Sequence, residues 1–434
     1  MLRKRLMSLV LTLIMVLSLV AVPSVTASTN EGTYDSLPVL QSFVDEFGFE
    51  FAQNFAVSSE MIANLYTSFP ANRAGDTIYP DDFGGLYVDS YGNLHILMVG
   101  TPSISAFALD ARSNVRHVNF SLNELWETMN LLNDLIPSKF DLLPAADNAT
   151  GWYLDVVGNR VVVELLDLSQ EMIALFRETV FDSPILGFSQ SYGINEFELP
   201  TELPIMYDEF IDNSEHYAFE PFNTVTLRPG SRIYIRRDGL LTEGSAGYLA
   251  RIGGSRGFVT AAHIGSSNFF PFPLRAGDTV YVRNASGRQL VGSVRFNSDV
   301  SLQHIDAAFV TLNSNVIFDN RTAWCNSPIV QGFSLTHVGL PIRISGATTG
   351  PVHPIQSGTI TRLAHTAVFN SHGVRFTVNN GLSANYRAVG GDSGGLVFNS
   401  ATGEIIGIHT GRPDGITPFI STAWEINRFL NLQL

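Results

Sequence analysis

The segment Gly391-Asp392-Ser393-Gly394-Gly395 is the most informative stretch of this 434-residue sequence. A serine hydroxyl is a weak nucleophile at neutral pH, so an enzyme that uses one supplies a base, an orienting carboxylate and donors for the developing oxyanion. Glycines around a serine permit the tight backbone that points two N–H groups at one oxygen. The segment therefore predicts a nucleophilic Ser393 with an oxyanion hole formed by the N–H groups of Gly391 and Ser393.

Two upstream segments supply a candidate base and a candidate carboxylate. Residues 257–263 have the sequence Gly-Phe-Val-Thr-Ala-Ala-His, which predicts a buried strand that ends in small residues beside His263. Residues 305–310 place Asp306 in an otherwise apolar stretch. A buried aspartate needs a partner, because leaving it unpaired costs several kcal/mol or raises its pKa. The candidate catalytic residues are therefore His263, Asp306 and Ser393.

The same segment satisfies the Gly-x-Ser-x-Gly pattern of a nucleophile elbow, so an α/β-hydrolase is an alternative fold. That fold requires an acid and then a histidine after the serine. Glu404 and His409 are the residues that follow Ser393 in this order, and they lie only a few residues away. This spacing makes the α/β-hydrolase order nearly unworkable.

The order His263, Asp306, Ser393 is that of chymotrypsin-type proteases. About the last half of the chain resembles the bacterial α-lytic protease and streptogrisin group, and residues 345–350 and 357–361 are similar to the segment that precedes the nucleophile in that group. The resemblance implies an all-β, trypsin-like double barrel over residues 225–434 and an acyl-enzyme mechanism on protein or peptide substrates. A catalytically silent homologue that acts as a binding protein is the alternative.

Short predicted strands separated by turn signals such as residues 252–254 favour an all-β barrel or sandwich independently of the resemblance. The apolar spacing from Trp424 to Leu432 predicts a closing helix. The histidines show no metal-ligand spacing and no phosphate-binding loop is present, so we expect no cofactor.

Residues near the serine give a candidate S1 pocket. Arg387 precedes Ser393 by six residues, while His409, Thr410 and Gly411 lie on the strand that follows it. The segment around His409 resembles glutamate-specific bacterial proteases, and that resemblance implies that His409 holds a substrate carboxylate. An arginine offers a bidentate fork and a histidine offers one donor. These features favour Glu at P1, with a small or apolar P1 residue as the alternative.

The N terminus has the pattern of a secretory signal peptide over residues 1–27. A basic stretch (residues 3–5), an apolar run (6–22) and small residues before a cleavage point (25–27) follow one another. The run is short for a membrane span and contains serine and threonine. We expect a secreted, extracellular protein with no stable membrane anchor; an uncleaved anchor is the alternative.

The sequence holds one cysteine, Cys325, so no intramolecular disulfide can form. Members of the protease group usually carry disulfides, and Ile264 and Ser357 stand here where cysteines are expected. We interpret Cys325 as a buried structural thiol rather than a nucleophile, because no Cys-His pattern accompanies it.

The net charge of −14 hides an asymmetry. Residues 226–434 hold 17 Arg, no Lys and 10 Asp plus Glu, a net charge of +7, whereas residues 28–225 hold 6 basic and 30 acidic residues, a net charge of −24. Opposite charges attract over about a Debye length, ~8 Å at physiological salt. The acidic part is therefore a natural docking partner for the basic part. Nucleic-acid binding is not predicted, because no recognised module or interleaving of aromatic and basic residues is present.

The acidic part, residues 28–224, contains an internal repeat. Residues 85–93 recur as residues 151–159, and each copy predicts a strand, an Asp-x-x-Gly-Asn turn and a second strand. A helical pattern follows each hairpin, the first with a capping box of Ser121 and Glu124. This predicts an α+β region of two ββα units, near residues 80–137 and 148–182, after a helical stretch near residues 37–68.

The two-unit region resembles the pro-region of the same protease group, which acts as a folding chaperone and inhibitor. The resemblance implies a zymogen with its own pro-region as intramolecular partner. A binding module that stays attached is the alternative. Residues 195–225 are interpreted as a linker, with the mature N terminus near Val225.

Overall fold

The computed structural model describes residues 38–72, 77–100, 113–194, 224–237, 240–265, 274–284, 287–297, 305–371 and 374–434. The predicted signal peptide and most of the predicted linker lie outside these residues. The chain divides into two compact units. Unit 1 consists of Met1–Thr128, Asp155–Arg160 and His337–Leu340, and unit 2 of Met129–Leu154, Val161–Thr336 and Pro341–Leu434. The predicted boundaries of the signal peptide, pro-region and protease stay predictions.

Unit 1 contains the first predicted ββα unit and the helical stretch before it. Its elements are helices α1 (Pro38–Phe47) and α2 (Phe49–Ser68), strands β1 (Phe83–Val88), β2 (Leu94–Val99) and β3 (Asn114–Val118), and the start of helix α3 (Leu122–Ser138). Strands β1 and β2 form the predicted antiparallel hairpin. Strand β3 pairs with β2 in parallel and is a strand that the repeat did not predict.

Side-chain hydrogen bonds form the predicted turn and cap in unit 1. The carboxylate of Asp89 accepts hydrogen bonds from the N–H groups of Tyr91 and Asn93, both at 2.9 Å. At the start of α3, the N–H of Ser121 donates to Glu124 Oε2 at 2.7 Å and the N–H of Glu124 donates to Ser121 Oγ at 3.2 Å. These reciprocal bonds confirm the predicted capping box.

A short piece of the C-terminal part of the chain also belongs to unit 1. The N–H of Val88 donates to the carbonyl of Val338 at 2.9 Å, and the ring of His337 lies 6.3 Å from that of Phe55. Burial lowers the pKa of His337 from 6.5 to about 4, against a smaller opposing effect of its hydrogen bond to the Val338 carbonyl. His337 is therefore neutral in this unit at physiological pH.

Unit 2 begins with the rest of α3 and the second ββα unit. The elements are α4 (Pro144–Asp147), β4 (Ala149–Asp155), β5 (Arg160–Leu165), α5 (Gln170–Thr179) and β6 (Leu186–Gln190). Strand β6 pairs with β5 in parallel and, like β3, adds one strand to the predicted unit. The fully buried Trp152 donates from its indole to Asn133 of α3 at 2.7 Å, so this helix covers one face of the strands.

The larger part of unit 2 contains two mostly antiparallel sheets. Among the described residues, the first sheet has seven strands in the order β10-β11-β14-β13-β12-β8-β9. Its members are β8 (Arg232–Arg237), β9 (Leu240–Ser245), β10 (Leu249–Ile252), β11 (Ser255–Thr260), β12 (Thr279–Asn284), β13 (Gly287–Asn297) and β14 (Ala308–Leu312). A parallel pair, β7 (Val225–Leu227) and β15 (Val316–Phe318), lies outside both sheets.

The second sheet also includes the strands of the acidic region. Within the described chain it runs β17-β20-β21-β22-β19-β18-β4-β5-β6, with β16 paired to β21. The strands not yet defined are β16 (Val330–Phe333), β17 (Pro341–Ser345), β18 (Gln356–Ser371), β19 (Val374–Ala384), β20 (Leu396–Asn399), β21 (Glu404–Gly411) and β22 (Phe419–Thr422). Helix α6 (Ala423–Leu430) follows, as predicted.

The two sheets bury one continuous apolar core that includes Phe258, Val259, Phe309, Leu396 and Ile408. Their largely antiparallel pairing and short strands give the predicted all-β, trypsin-like double barrel, preceded by the α+β region. No helix among the described residues is long and apolar enough to span a membrane.

Strand β4 adds to the edge of β18, antiparallel, with Thr366 opposite Trp152 and Ala367 opposite Gly151. Beside this pairing, Arg362 Nη1 lies 3.0 Å from Glu164 Oε1, and His365 Nε2 lies 3.6 Å from the other carboxylate oxygen. Burial alone would raise the pKa of Glu164, but these two facing groups hold it below its usual range. The acidic part of the chain (residues 28–224) therefore contacts the barrel within unit 2 through the pairing of β4 with β18 and through the largely buried carboxylate of Glu164.

Acid should destabilise unit 1 through His337. A histidine whose folded pKa of about 4 lies below 6.5 binds protons more readily when unfolded, so its contribution is complete above pH 6.5 and is lost as the pH falls from 6.5 towards 4. At pH 5 the loss is about 2 kcal/mol. We expect His337→Leu to remove that part of the pH dependence, measured as hydrogen-exchange protection of β1 and α2 amides in a Ser393→Ala chain.

The exposed His117 of the same unit provides the matched control. His117→Leu should keep the decline in protection between pH 7.5 and pH 5. An equal pH dependence in the two variants would contradict the assignment to His337.

Candidate active site

The pairing of two strands brings His263 and Asp306 together. Strands β11 and β14 are antiparallel with Thr260 opposite Ala308, so the end of β11 lies beside the start of β14. His263 follows β11 in a short 3-10 turn, and Asp306 comes just before β14. The ring Nδ1 of His263 is 2.7 Å from Asp306 Oδ2, and the His263 N–H donates to Oδ1 at 2.9 Å. The buried Asp306 thus has the partner that its burial requires.

The segment around Ser393 requires glycine at two positions for different reasons. Gly391 has a φ of +91°, a left-handed conformation that favours glycine. Gly394 has a φ of +83°, and a Cβ there would lie 2.2 Å from Thr260 Oγ1. Because Thr260 ends the strand that leads to His263, this close approach places the serine loop against the end of β11.

Ser245, the last residue of β9, joins the two sheets at the loop. Its N–H donates to the Ser393 carbonyl at 2.8 Å, and its hydroxyl donates to the Gly391 carbonyl at 2.9 Å. The same hydroxyl accepts from the N–H of Ala347 at 2.9 Å, while the Ser245 carbonyl accepts from Thr260 Oγ1 at 2.9 Å. Ser245 is not among the residues predicted from the sequence.

The carboxylate of Asp392 fixes the loop from inside. It is fully buried, and Oδ1 accepts hydrogen bonds from the N–H groups of Thr348 and Thr349, both at 2.9 Å. Its Oδ2 accepts from the N–H of Val389 at 3.0 Å. Backbone amides therefore compensate the buried charge and tie the loop that precedes the serine to the segment at Thr348 and Thr349.

The two predicted oxyanion donors differ from the neighbouring amides. The N–H groups of Asp392, Gly394 and Gly395 each donate to a backbone carbonyl. Within the described part of the chain, the N–H groups of Gly391 and Ser393 have no intramolecular acceptor. Two unengaged amides beside one serine are the arrangement that an oxyanion hole requires.

The Ser393 hydroxyl and the predicted pocket residues meet on β21. Ser393 Oγ lies 3.4 Å from the carbonyl of Thr410, to which it donates. The Thr410 hydroxyl is instead 2.7 Å from Ser421 Oγ inside the sheet, and Gly411 pairs with Phe419. Thr410 therefore contributes its backbone to the site.

A buried pair of side chains, His409 and Tyr386, lies beside the loop. The Tyr386 hydroxyl is 2.9 Å from His409 Nδ1. Burial lowers the pKa of His409 to about 3, with additional lowering by the charges of His263 and Arg412. Burial also raises the pKa of Tyr386, as does the charge of Asp392. Both groups are therefore neutral at physiological pH, and His409 lies close enough to His263 to sense its charge.

The side chains near Tyr386 alternate in burial, which separates it from Arg387. Ala384, Tyr386 and Ala388 are buried, whereas Asn385 and Arg387 are exposed. Tyr386 thus faces His409, and Arg387 faces the other side of the chain. A substrate-binding role for Arg387 stays a prediction. The alternation of polar and less polar residues from Ala384 to Ala388 could have predicted this orientation. In an extended segment it places Tyr386 on the same side as the two alanines.

No group of three or more His, Cys, Asp and Glu side chains within the described ranges is arranged to hold a metal ion. Cys325 is half-buried, with its sulfur 3.1 Å from both Thr322 Oγ1 and Ser327 Oγ. These hydroxyl contacts, together with its place in a turn, are those of a structural thiol.

Replacing Asp392 should destabilise the fold more than replacing the adjacent serine. In Asp392→Asn, an amide NH2 faces N–H donors that had a carboxylate acceptor, so at least one buried donor loses its partner. We expect the free energy of unfolding to fall by about 3 kcal/mol. The matched Ser393→Ala change, one residue away, should cost less than about 1 kcal/mol. Urea unfolding at pH 7 measures both, and equal losses would contradict the bracing role of Asp392.

Parts of this chain are similar to a protein family and to several solved structures. Residues 123–191 match a family described as the Pro-like C-terminal domain. Protease A of Thermobifida fusca is 22% identical, with 48% of this chain and 98% of that protein covered and a TM-score of 0.36. The protease of Nocardiopsis is 25% identical, with 48% and 99% covered and a TM-score of 0.37.

A third similar structure is described as a glutamic acid specific serine protease that uses a histidine triad in substrate binding. It is 22% identical, with 48% of this chain and all 100% of that protein covered and a TM-score of 0.36. These similar structures are all described as proteases, and a further one, 15% identical, is described as a homologue of α-lytic protease, a member of the group that the sequence resembles.

Proposed function

We propose that this chain is a secreted serine endopeptidase, made as a zymogen, that cleaves by an acyl-enzyme mechanism. The observation that carries the proposal is the buried His263–Asp306 pair just after β11, together with Gly394 of the serine loop, which packs against Thr260 at the end of that strand. Acyl transfer requires a base that is oriented by a carboxylate and a serine with two unengaged amides.

Each residue has a distinct role in the proposed reaction. Ser393 Oγ attacks the scissile carbonyl while His263 accepts its proton. The Asp306 carboxylate accepts a hydrogen bond from Nδ1 of His263, which leaves Nε2 as the proton acceptor and stabilises the imidazolium. The N–H groups of Gly391 and Ser393 donate to the carbonyl oxygen as it becomes negative. His263 then returns the proton to the leaving amine, and water repeats the sequence to release the acid.

The acidic region fits the role of an intramolecular inhibitor and folding partner. Strand β4 continues the same sheet that carries β20, which follows the serine loop, and β21, whose His409 exchanges backbone hydrogen bonds with Gly394 and Gly395 of that loop. Two ion pairs match the acidic region to the basic one: Glu164, which is largely buried, with Arg362, and the partly exposed Asp147 with Arg375 at 2.8 Å. We also propose that the protein is secreted and that this region is removed after synthesis. The signal pattern supports secretion, and the match of residues 123–191 supports a pro-region.

We further propose that the enzyme prefers Glu at P1. If the Tyr386 hydroxyl donates to Nδ1 of His409, the neutral imidazole carries its proton on Nε2 and presents one N–H donor to a substrate carboxylate. A hydrogen-bond donor in a buried pocket favours a carboxylate over an alkyl side chain, because the alkyl group would leave that donor unpaired. A small or apolar P1 residue is the competing outcome.

The catalytic proposal is tested by labelling and processing of the secreted product. We expect a serine-directed organophosphate to label the wild-type protein at Ser393 and N-terminal sequencing to find a new N terminus near Val225. Ser393→Ala should be unlabelled, inactive and full-length, and Asp306→Asn should lose about 10⁴-fold in kcat because the imidazole tautomer is no longer fixed.

A wild-type protein that is neither labelled nor active would instead support a silent binding protein. Normal cleavage of the Ser393→Ala chain by purified components alone would refute self-processing while leaving the peptidase proposal intact.

The P1 proposal is tested with Tyr386→Phe and peptides that differ only at P1. Loss of the hydroxyl leaves the tautomer of His409 unfixed, so kcat/KM for the Glu peptide should fall about 10-fold while that for an Ala peptide changes less than about 2-fold. Because His409 stays neutral down to about pH 3, the preference for Glu over Gln should persist until the substrate carboxylate titrates, near pH ~4.3.

The exposed Arg387 supplies the discriminating comparison. A larger loss of Glu turnover in Arg387→Gln than in Tyr386→Phe would assign the carboxylate to Arg387. Equal kcat/KM of the wild-type enzyme for Glu and Ala peptides would rule out acidic specificity.

A further inference from the structure

An ion pair that the proposed mechanism does not use lies beside the oxyanion donors. Arg232 and Glu243 belong to the antiparallel strands β8 and β9, and Arg232 Nη1 contacts Glu243 Oε1. The Glu243 side chain is 7% exposed and that of Arg232 is 31% exposed. A carboxylate this deeply buried is weakly screened by water, so its charge acts on neighbouring groups.

The neighbour of that carboxylate is Gly391. Glu243 Oε1 lies 3.4 Å from the position that a Cβ would take on Gly391. Two covalent bonds of about 1.5 Å separate that position from the backbone nitrogen, so the carboxylate oxygen is within about 6 Å of the candidate oxyanion donor. An uncompensated anion at this distance opposes the negative charge that the oxyanion hole must hold.

Arg232 is placed to cancel this effect. Its Nη1 faces Glu243, while Nη2 donates to the Ala347 carbonyl at 2.9 Å and to Thr348 Oγ1 at 3.2 Å. Thr348 is one of the residues whose N–H groups donate to Asp392. The guanidinium is therefore anchored on the segment that braces the serine loop, with its charge directed at Glu243.

We propose that Arg232 is a positioning residue that neutralises Glu243, so that the N–H of Gly391 can stabilise a developing oxyanion. The inference rests on the proposed peptidase function. It assigns to the β8–β9 hairpin a specific electrostatic role in the rate of acyl transfer, beyond its place in the barrel.

The test is a double-mutant cycle with Arg232→Gln, Glu243→Gln and the double variant. A chromogenic peptide amide gives kcat and KM for each purified, processed enzyme. We expect Arg232→Gln to lower kcat about 10- to 100-fold with little change in KM, because a charge beside the oxyanion acts on the transition state. Glu243→Gln should keep a kcat within about 3-fold of wild type, and the double variant should regain most of the lost rate.

A purely structural role predicts a different pattern. If the ion pair only holds the hairpin in place, Glu243→Gln should be as damaging as Arg232→Gln, and the double variant should be no better than either. That result would overturn the inference while the wild-type activity and the labelling of Ser393 still supported the peptidase. An inactive, unlabelled wild-type protein would overturn both.

Arg232→Lys keeps the test decisive if Arg232→Gln does not fold. Lysine retains the positive charge without the two-point contact, so its kcat should stay within about 5-fold of wild type even if the thermal midpoint falls. A loss of kcat beyond 10-fold in Arg232→Lys would equal the loss expected when the charge is removed. That result would overturn the electrostatic role, because lysine keeps the charge.

Discussion

The candidate nucleophile depends on hydrogen bonds to a fully buried residue of the other sheet. Ser245 uses its N–H, hydroxyl and carbonyl to bond with Ser393, Gly391 and Thr260. Displacing the serine loop would leave the buried N–H and the hydroxyl proton of Ser245 without acceptors, at a cost of about 1–3 kcal/mol each. The loop is therefore held against the end of β11 by directional bonds as well as by packing, and the reactive centre exists only where the two sheets meet.

Most predictions made from the sequence came from short local motifs. His263, Asp306 and Ser393 were each identified from the few residues around them, and the two hairpins and the capping box also depend on residues close together in the chain. The glycines beside the serine meet a strict steric demand. The role of Tyr386, the charge pair of Arg232 and the third strand in each ββα unit were not predicted. These depend on which distant strands become neighbours, and strand pairing between remote segments leaves little trace in local periodicity.

The charge asymmetry predicts an attraction between the acidic and the basic parts of the chain. In unit 2, two ion pairs join these parts. Asp147 and Arg375 are each about one-third exposed, and such a pair contributes at most about 1 kcal/mol. Glu164 is 9% exposed and faces Arg362 beside the β4–β18 pairing. Removing Arg362 would leave a largely buried carboxylate without its ion-pair partner, which is costly even where the intact pair adds little net stability.

Negative charge is abundant around the reactive serine, and each carboxylate has a different kind of partner. His263 faces Asp306, backbone amides surround Asp392, and Arg232 faces Glu243. In the proposed mechanism the first partner takes part in proton transfer, whereas the second is fixed by the fold. Only the third is a long side chain, partly exposed to solvent. Because two neutral amides stabilise an oxyanion less when an uncompensated anion is near, the proposed catalysis requires that all three carboxylates be compensated.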